Sequence, residues 1–256
     1  MINMCADNIP FLCGSWPLNP ELPTIIFIHG AGNSKNLWKH QVQGLNGHIN
    51  TIAIDLPGHG ENNENGTDNI NEYARRVENF ILAINPPSPV PCGLSMGGAI
   101  TLDLLVNAKI KFKAGIIVNS GARLKVMPSI FELIKNDYCA YTSSISVMGS
   151  SSKTDPARLR EIISDSESCS PDVVYDDFTA CNGFDITASL KNINIPVLIL
   201  TAEEDRLTPQ KQGIFLADNI PGSNRINIMD AGHFSPAEKP EEVNEAILKF
   251  IKINCR

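Results

Sequence analysis

Ser95 stands at the centre of Gly93-Leu94-Ser95-Met96-Gly97, a Gly-x-Ser-x-Gly run that follows the apolar Pro89-Val90-Pro91-Cys92. The spacing suits a strand that turns sharply into a helix with the serine at the apex. Such a turn strains the backbone and lifts the hydroxyl out of the sheet toward a substrate. The two glycines let strand and helix pass closely. Alone the pentapeptide is weak, because small residues also make ordinary strand-to-helix turns. Its chemistry would be nucleophilic acyl transfer. That needs a base for the hydroxyl proton, a carboxylate to orient the base, and N–H donors for the developing oxyanion.

Histidines stand at 29, 40, 48, 59 and 233. Only His233 follows the last expected strand, in Asp230-Ala231-Gly232-His233-Phe234, on a loop from which it can reach over to the nucleophile. In isolation it would read as a solvated surface histidine. The expected acid is Asp205, in Glu203-Glu204-Asp205-Arg206 after the run 197–200; Glu203 and Glu204 compete with it within an error of register. The oxyanion donors would be the Met96 N–H and one from His29-Gly30-Ala31-Gly32, with Ala31 preferred. His29 reads as an anchor of that loop. Asp55-Leu56-Pro57-Gly58-His59-Gly60 reads as a structural turn holding its neighbour.

These residues need elements to hold them. Short β-branched runs at 24–28, 51–54, 114–118, 197–200 and 225–229 alternate with helical patterns, which implies βα units and a mostly parallel sheet. Several runs are apolar on both faces, as covered parallel strands should be. Ile70, Tyr73, Ala74, Val77, Phe80, Ile81 and Ile84 recur at helical spacing, with Asn69 and Glu72 as a capping pair. Val243, Ile247, Phe250 and Ile251 mark a last helix. Residues 120–188 break the rhythm. They hold a Ser-rich stretch at 143–152 and short helical patterns at 130–135 and 157–163, but no convincing strand. The expected division is a core of 1–119 and 189–256 with a helical cap inserted at 120–188. A disordered insertion is the alternative, disfavoured because long structureless loops are rare in compact domains.

Composition sets outer bounds. The chain has 256 residues, 43% hydrophobic and 19% charged, so one large α/β domain can bury a core without disulfides. The net charge of −7 argues against nucleic acid or an anionic membrane as main partner. Seven cysteines without metal-ligand spacing suggest free thiols in a reducing compartment. With no secretion signal and no bilayer-length apolar run, the expected location is cytoplasmic.

Taken together, HGAG at 29–32, DLPGHG at 55–60, GLSMGG at 93–98, the loop bearing Asp205 and GHF at 232–234 resemble the α/β-hydrolase superfamily. Their order spans residues 24–251. The resemblance implies the α/β-hydrolase fold, a mostly parallel sheet with helices on both faces and a cap. It also implies Ser95 as nucleophile, Asp205 as acid, His233 as base, and Ala31 and Met96 as oxyanion donors. About twenty residues precede the strand at Thr24, so the family's first two antiparallel strands must be short or partly missing. Ala202 stands where the family often has glycine. A serine nucleophile argues against haloalkane dehalogenase and epoxide hydrolase chemistry.

The leading expectation is a serine hydrolase of carboxylic esters with small-to-medium acyl groups, needing no cofactor or metal. The same triad would serve a lactonase, a thioesterase or a carbon–carbon-bond hydrolase. A hydrolase-fold binding protein without catalysis is the alternative from another class. Met127, Ile130, Phe131, Tyr138 and Met148 of the cap would either line the acyl pocket or pack the cap on the body. The oligomeric state is open, a homodimer included.

Overall fold

In the computed structural model, residues 1–255 are described. In chain order the elements of the first half are β1 (Ile2–Ala6), β2 (Ile9–Cys13), β3 (Thr24–Ile28), α1 (Lys39–Gly44), β4 (Asn50–Ile54), α2 (Ile70–Ile84), β5 (Pro89–Leu94), α3 (Met96–Asn107) and β6 (Gly115–Val118). There follow α4 (Pro128–Asn136), α5 (Tyr138–Gly149), α6 (Arg160–Ser168), α7 (Pro171–Gly183), β7 (Val197–Ala202), α8 (Gln210–Asn219), β8 (Asn224–Ile228), α9 (Ser235–Glu238) and α10 (Pro240–Asn254). The strands form one sheet in the order β1-β2-β4-β3-β5-β6-β7-β8. β1 and β2 pair antiparallel with each other, and β2 pairs antiparallel with β4. The six strands from β4 to β8 in that order run parallel.

The central strands are apolar on both sides because both sides are covered. Ile26 and Ile28 join one core with Tyr73, Val77 and Phe80 of α2. Ile25 and Phe27, the alternate residues of the same strand, join the other with Val42 of α1 and Val243, Ile247 and Phe250 of α10. At roughly 1.5–3 kcal/mol per fully buried large apolar side chain, these two layers supply most of the drive to fold.

The antiparallel pair expected to be short or partly missing is present as two strands of five residues. Asp7 and Asn8 join them, with φ of 48° and 58°. Two residues with positive φ are what a right-twisting two-residue hairpin requires. At the start of α2, the Asn69 side chain accepts a hydrogen bond from Asn71 N at 2.8 Å. Glu72 does not reach back to Asn69 as expected. It accepts from Thr67 Oγ1 at 2.7 Å, tying down the preceding turn instead.

Between β6 and β7 the chain leaves the sheet as α4 to α7. The serine-rich stretch is largely helical, since α5 runs to Gly149. Its Ser144 and Ser150 hydroxyls bond back to carbonyls three or four residues earlier, which satisfies them within the helix. Ile130, Ile134, Tyr141 and Val174 form a small apolar centre for these helices. Arg123 and Asp185 make an isolated antiparallel bridge where the segment leaves and rejoins the body.

Candidate active site

Ser95 lies between β5 and α3 with φ 55° and ψ −115°. A serine pays about 1–3 kcal/mol to sit there, so its surroundings must enforce the conformation. Ser95 N donates to Val118 O at 3.0 Å, and the Ser120 hydroxyl donates to Ser95 O at 2.7 Å. The flanking glycines are required by close approach. A Cβ on Gly93 would strike the Gly97 carbonyl, and one on Gly97 would strike the carbonyls of Ile28 and His29.

His233 and Asp205 meet at the same end of the sheet. His233 Nδ1 lies 2.9 Å from Asp205 Oδ2. A carboxylate at Nδ1 places the proton on that nitrogen and leaves Nε2 as an acceptor. Asp205 Oδ1 accepts from Leu207 N and Thr208 N, both at 2.9 Å, and the Thr208 hydroxyl sits 2.7 Å from Oδ2. The carboxylate is thus locked in orientation. Its competitors turn elsewhere: Glu203 accepts from Asp230 N, and Glu204 accepts from Ser152 N and Oγ.

Two residues without a motif pin the histidine loop. Asn119 follows β6 with φ 44°, a conformation asparagine tolerates. Its side-chain amide faces His233 O and Ser235 Oγ at 2.9 Å and Gly232 O at 3.3 Å. Glu238, itself buried, accepts from Gly232 N at 3.0 Å and from Ser151 N at 2.9 Å. It therefore joins the histidine loop to the end of α5, whose Gly149 O accepts from His233 N.

The loop 29–32 passes directly over the nucleophile, since a Cβ on Gly30 would lie 3.3 Å from Ser95 Cβ. Gly32 N donates to Asp177 Oδ2 at 2.9 Å and Asn33 N to Gly30 O at 3.3 Å. Ala31, between them, faces the cavity. Met96 is the first residue of α3, so its N–H is among those with no partner inside the helix. His29 is buried and anchors the loop: Nε2 accepts from Leu56 N at 3.1 Å and Nδ1 points at Gly30 O at 2.8 Å. Burial, followed by the charge of His59, lowers its pKa to about 3, so it stays neutral.

Asp177, on α7, carries no sequence motif, yet it is fully buried. Its Oδ1 accepts from Tyr73 Oη at 2.8 Å, and its Oδ2 pairs with His59 Nε2 at 2.8 Å besides holding Gly32 N. His59 Nδ1 is spent on Pro57 O at 3.0 Å. Burial alone would push the His59 pKa down, but the pairing with Asp177 outweighs it and the value is raised. Asp55 of the same turn pairs with buried Lys35 at 2.6 Å. The turn 55–60 is thus a structural brace.

Ser95 and His233 open together into a cavity of about 260 Å³ between body and α4–α7. Met127, Ile130 and Met148 line it, with Tyr141, Ile145 and Phe178, none of which was singled out in the sequence. Phe131 and Tyr138 do not. Phe131 packs edge-on against Tyr175, and Tyr138 stacks on Tyr141 and donates to Ser166 O. Among the described residues, no three His, Cys, Asp or Glu side chains are grouped to hold a metal ion. Nor is any helix among them long and apolar enough to cross a membrane.

Known proteins resemble this chain in sequence and in fold. The 3-oxoadipate enol-lactonase 1 of Acinetobacter baylyi is 24% identical over 237 residues, 90% of this chain and 89% of its own. The pimeloyl-[acyl-carrier protein] methyl ester esterase of Pectobacterium atrosepticum is 23% identical, covering 88% and 93%. The enol-lactonase structure from Burkholderia xenovorans shares the fold with a TM-score of 0.88 at 19% identity, over 98% of this chain and all of that one. The family model described as "Alpha/beta hydrolase family" matches residues 25–246. With sheet order, strained serine and family match in agreement, the chain belongs to the alpha/beta hydrolase family.

Proposed function

We propose that this hydrolase cleaves carboxylic esters of small-to-medium acyl groups through an acyl-enzyme at Ser95. The observation that carries the reading is a strained serine sharing a cavity with a histidine whose Nδ1 is held by a buried carboxylate. His233 Nε2 takes the Ser95 proton as Oγ attacks the ester carbonyl, and Asp205 stabilises the imidazolium. The Ala31 and Met96 N–H groups receive the oxyanion. The protonated imidazole passes its proton to the departing alcohol. Water, deprotonated by the same base, then releases the acid. The segment 120–188 acts as the cap that closes the site, and the all-thiol cysteine set favours the cytoplasm.

Ser95→Ala should abolish hydrolysis of a short p-nitrophenyl ester and labelling by a fluorophosphonate, with the fold unchanged by circular dichroism. Retained turnover would remove Ser95 from the mechanism. A wild-type protein that resists the probe would favour binding without catalysis. Lactone opening uses the same steps, and the enol-lactonase relatives support testing it in the same assay.

A further inference from the structure

The protein carries a net charge of −7, with 28 acidic and 21 basic residues, yet its cavity is lined by the opposite sign. The Lys and Arg side chains that line it are Lys125 and Arg206; no Asp or Glu lines it. The two cations rise from loops that follow neighbouring strands, β6 and β7, which pair through Val118 and Leu200. Gln212 lines the cavity beside them and packs against Gly121 at the root of the Lys125 strap. Lys125 Nζ donates to Asn182 O at 3.0 Å, which steadies the strap on α7; among the described residues no carboxylate pairs with it directly, though Asp185 feels its charge from farther off. Among the described residues, Arg206 has no carboxylate partner. Of the acids before it in sequence, Asp205 is taken up by His233 and by its own loop, while Glu203 turns to Asp230 N and Glu204 to Ser152. The loop thus presents its cation to the cavity, turns two of its acids away, and commits the third to His233.

Resting on the ester-hydrolase reading, we propose that Lys125 and Arg206 form an anion subsite, and that the substrate is an ester bearing a carboxylate on its acyl or its alcohol arm. The apolar wall of Ile130, Ile145 and Met148 takes the methylene chain, and the two cations take its charged end. Both side chains are exposed, so the gain is that of solvent-screened pairs and depends on salt.

The test compares kcat/KM for monomethyl adipate against methyl hexanoate, and for butanoyloxyacetate against butanoyloxyacetamide. The first pair places the charge on the acyl arm and the second on the alcohol arm. At low salt, one charged member should be preferred by about three- to tenfold, the range two partly exposed ion pairs provide. The preference should shrink toward unity at 0.5 M salt, fall in Lys125→Gln and Arg206→Gln, and invert in Arg206→Glu. Equal values for both pairs, or a preference that survives the double Gln variant, overturns the subsite. Equilibrium binding of the same compounds to Ser95→Ala protein separates the two readings. A charge preference in binding without turnover in wild type upholds the subsite and sinks the hydrolase. Turnover without any charge preference does the reverse.

Discussion

Two aspartate–histidine pairs sit near the same loop, and they differ in one nitrogen. In Asp205–His233, the carboxylate holds Nδ1 and the ring opens onto the cavity. In Asp177–His59, the carboxylate holds Nε2 and Pro57 O occupies Nδ1, so both nitrogens are spent and the ring is sealed. The same two functional groups thus make the proposed proton carrier in one place and a rivet in the other. Partner count and access decide the role, and residue type does not.

The largest contrast should come from removing each histidine. His233→Ala should lower kcat by at least about 10⁴-fold with little change in Tm, as for a triad base. His59→Gln should do the opposite, lowering Tm while leaving measurable turnover. Loss of turnover in both with intact folding would erase the distinction.

Next come the carboxylates. Asp205→Asn should cost about 10³–10⁴-fold in kcat, whereas Glu203→Gln and Glu204→Gln should stay within about twofold. A crippling Glu204→Gln would move the acid by one position. Asp177→Asn breaks a buried pair and should cost about 3–5 kcal/mol of unfolding free energy in denaturant titrations. It should also lower kcat more than it raises KM, because Gly32 N loses its charged acceptor beside the Ala31 donor.

The smallest effect is a slope. His59 has a raised pKa, so its contribution is complete below the ordinary histidine value near 6.5 and fades as pH rises through the folded value. His29 is depressed to about 3, so its neutral burial costs stability as pH falls from about 6.5 toward 3. Each can tilt the unfolding free energy by up to about 1.4 kcal/mol per pH unit. Denaturant titrations across pH should show a maximum near neutrality, with the alkaline limb flattened in His59→Gln.

The grouping of Ser95, Asp205 and His233 was legible in the sequence, and the bracing side of the contrast was not. Ser95, Asp205 and His233 each follow a β-branched run, so the order of strands in the chain already placed them at one sheet edge. The loop 29–32 and the turn 55–60 were readable as structural, but the residue that joins Gly32 N to His59 was not. Asp177 lies 145 residues from Gly32, on a helix whose sequence Pro-Asp-Val-Val-Tyr-Asp-Asp offers three equivalent aspartates, and only packing selects one. Glu238 and Asn119 were hidden for the same reason: a buried polar residue bonded across the fold leaves no periodic trace. The β1–β2 hairpin did have a signal, the Asp7-Asn8 pair between apolar runs. The serines of α5 disguised a helix, because their hydroxyls favour turns unless the backbone behind them accepts a bond.

The seating of α7 on the loop 29–32 has a consequence for redesign. Under the proposed cap role, α4–α7 invite exchange between scaffolds as a way to trade one substrate range for another. Here α7 supplies the acceptor that holds the backbone beside Ser95, so a replacement segment lacking a carboxylate at this point would leave Gly32 N without its partner. A functional chimera must therefore transplant Asp177 together with His59 and Tyr73, or build another acceptor for Gly32 N.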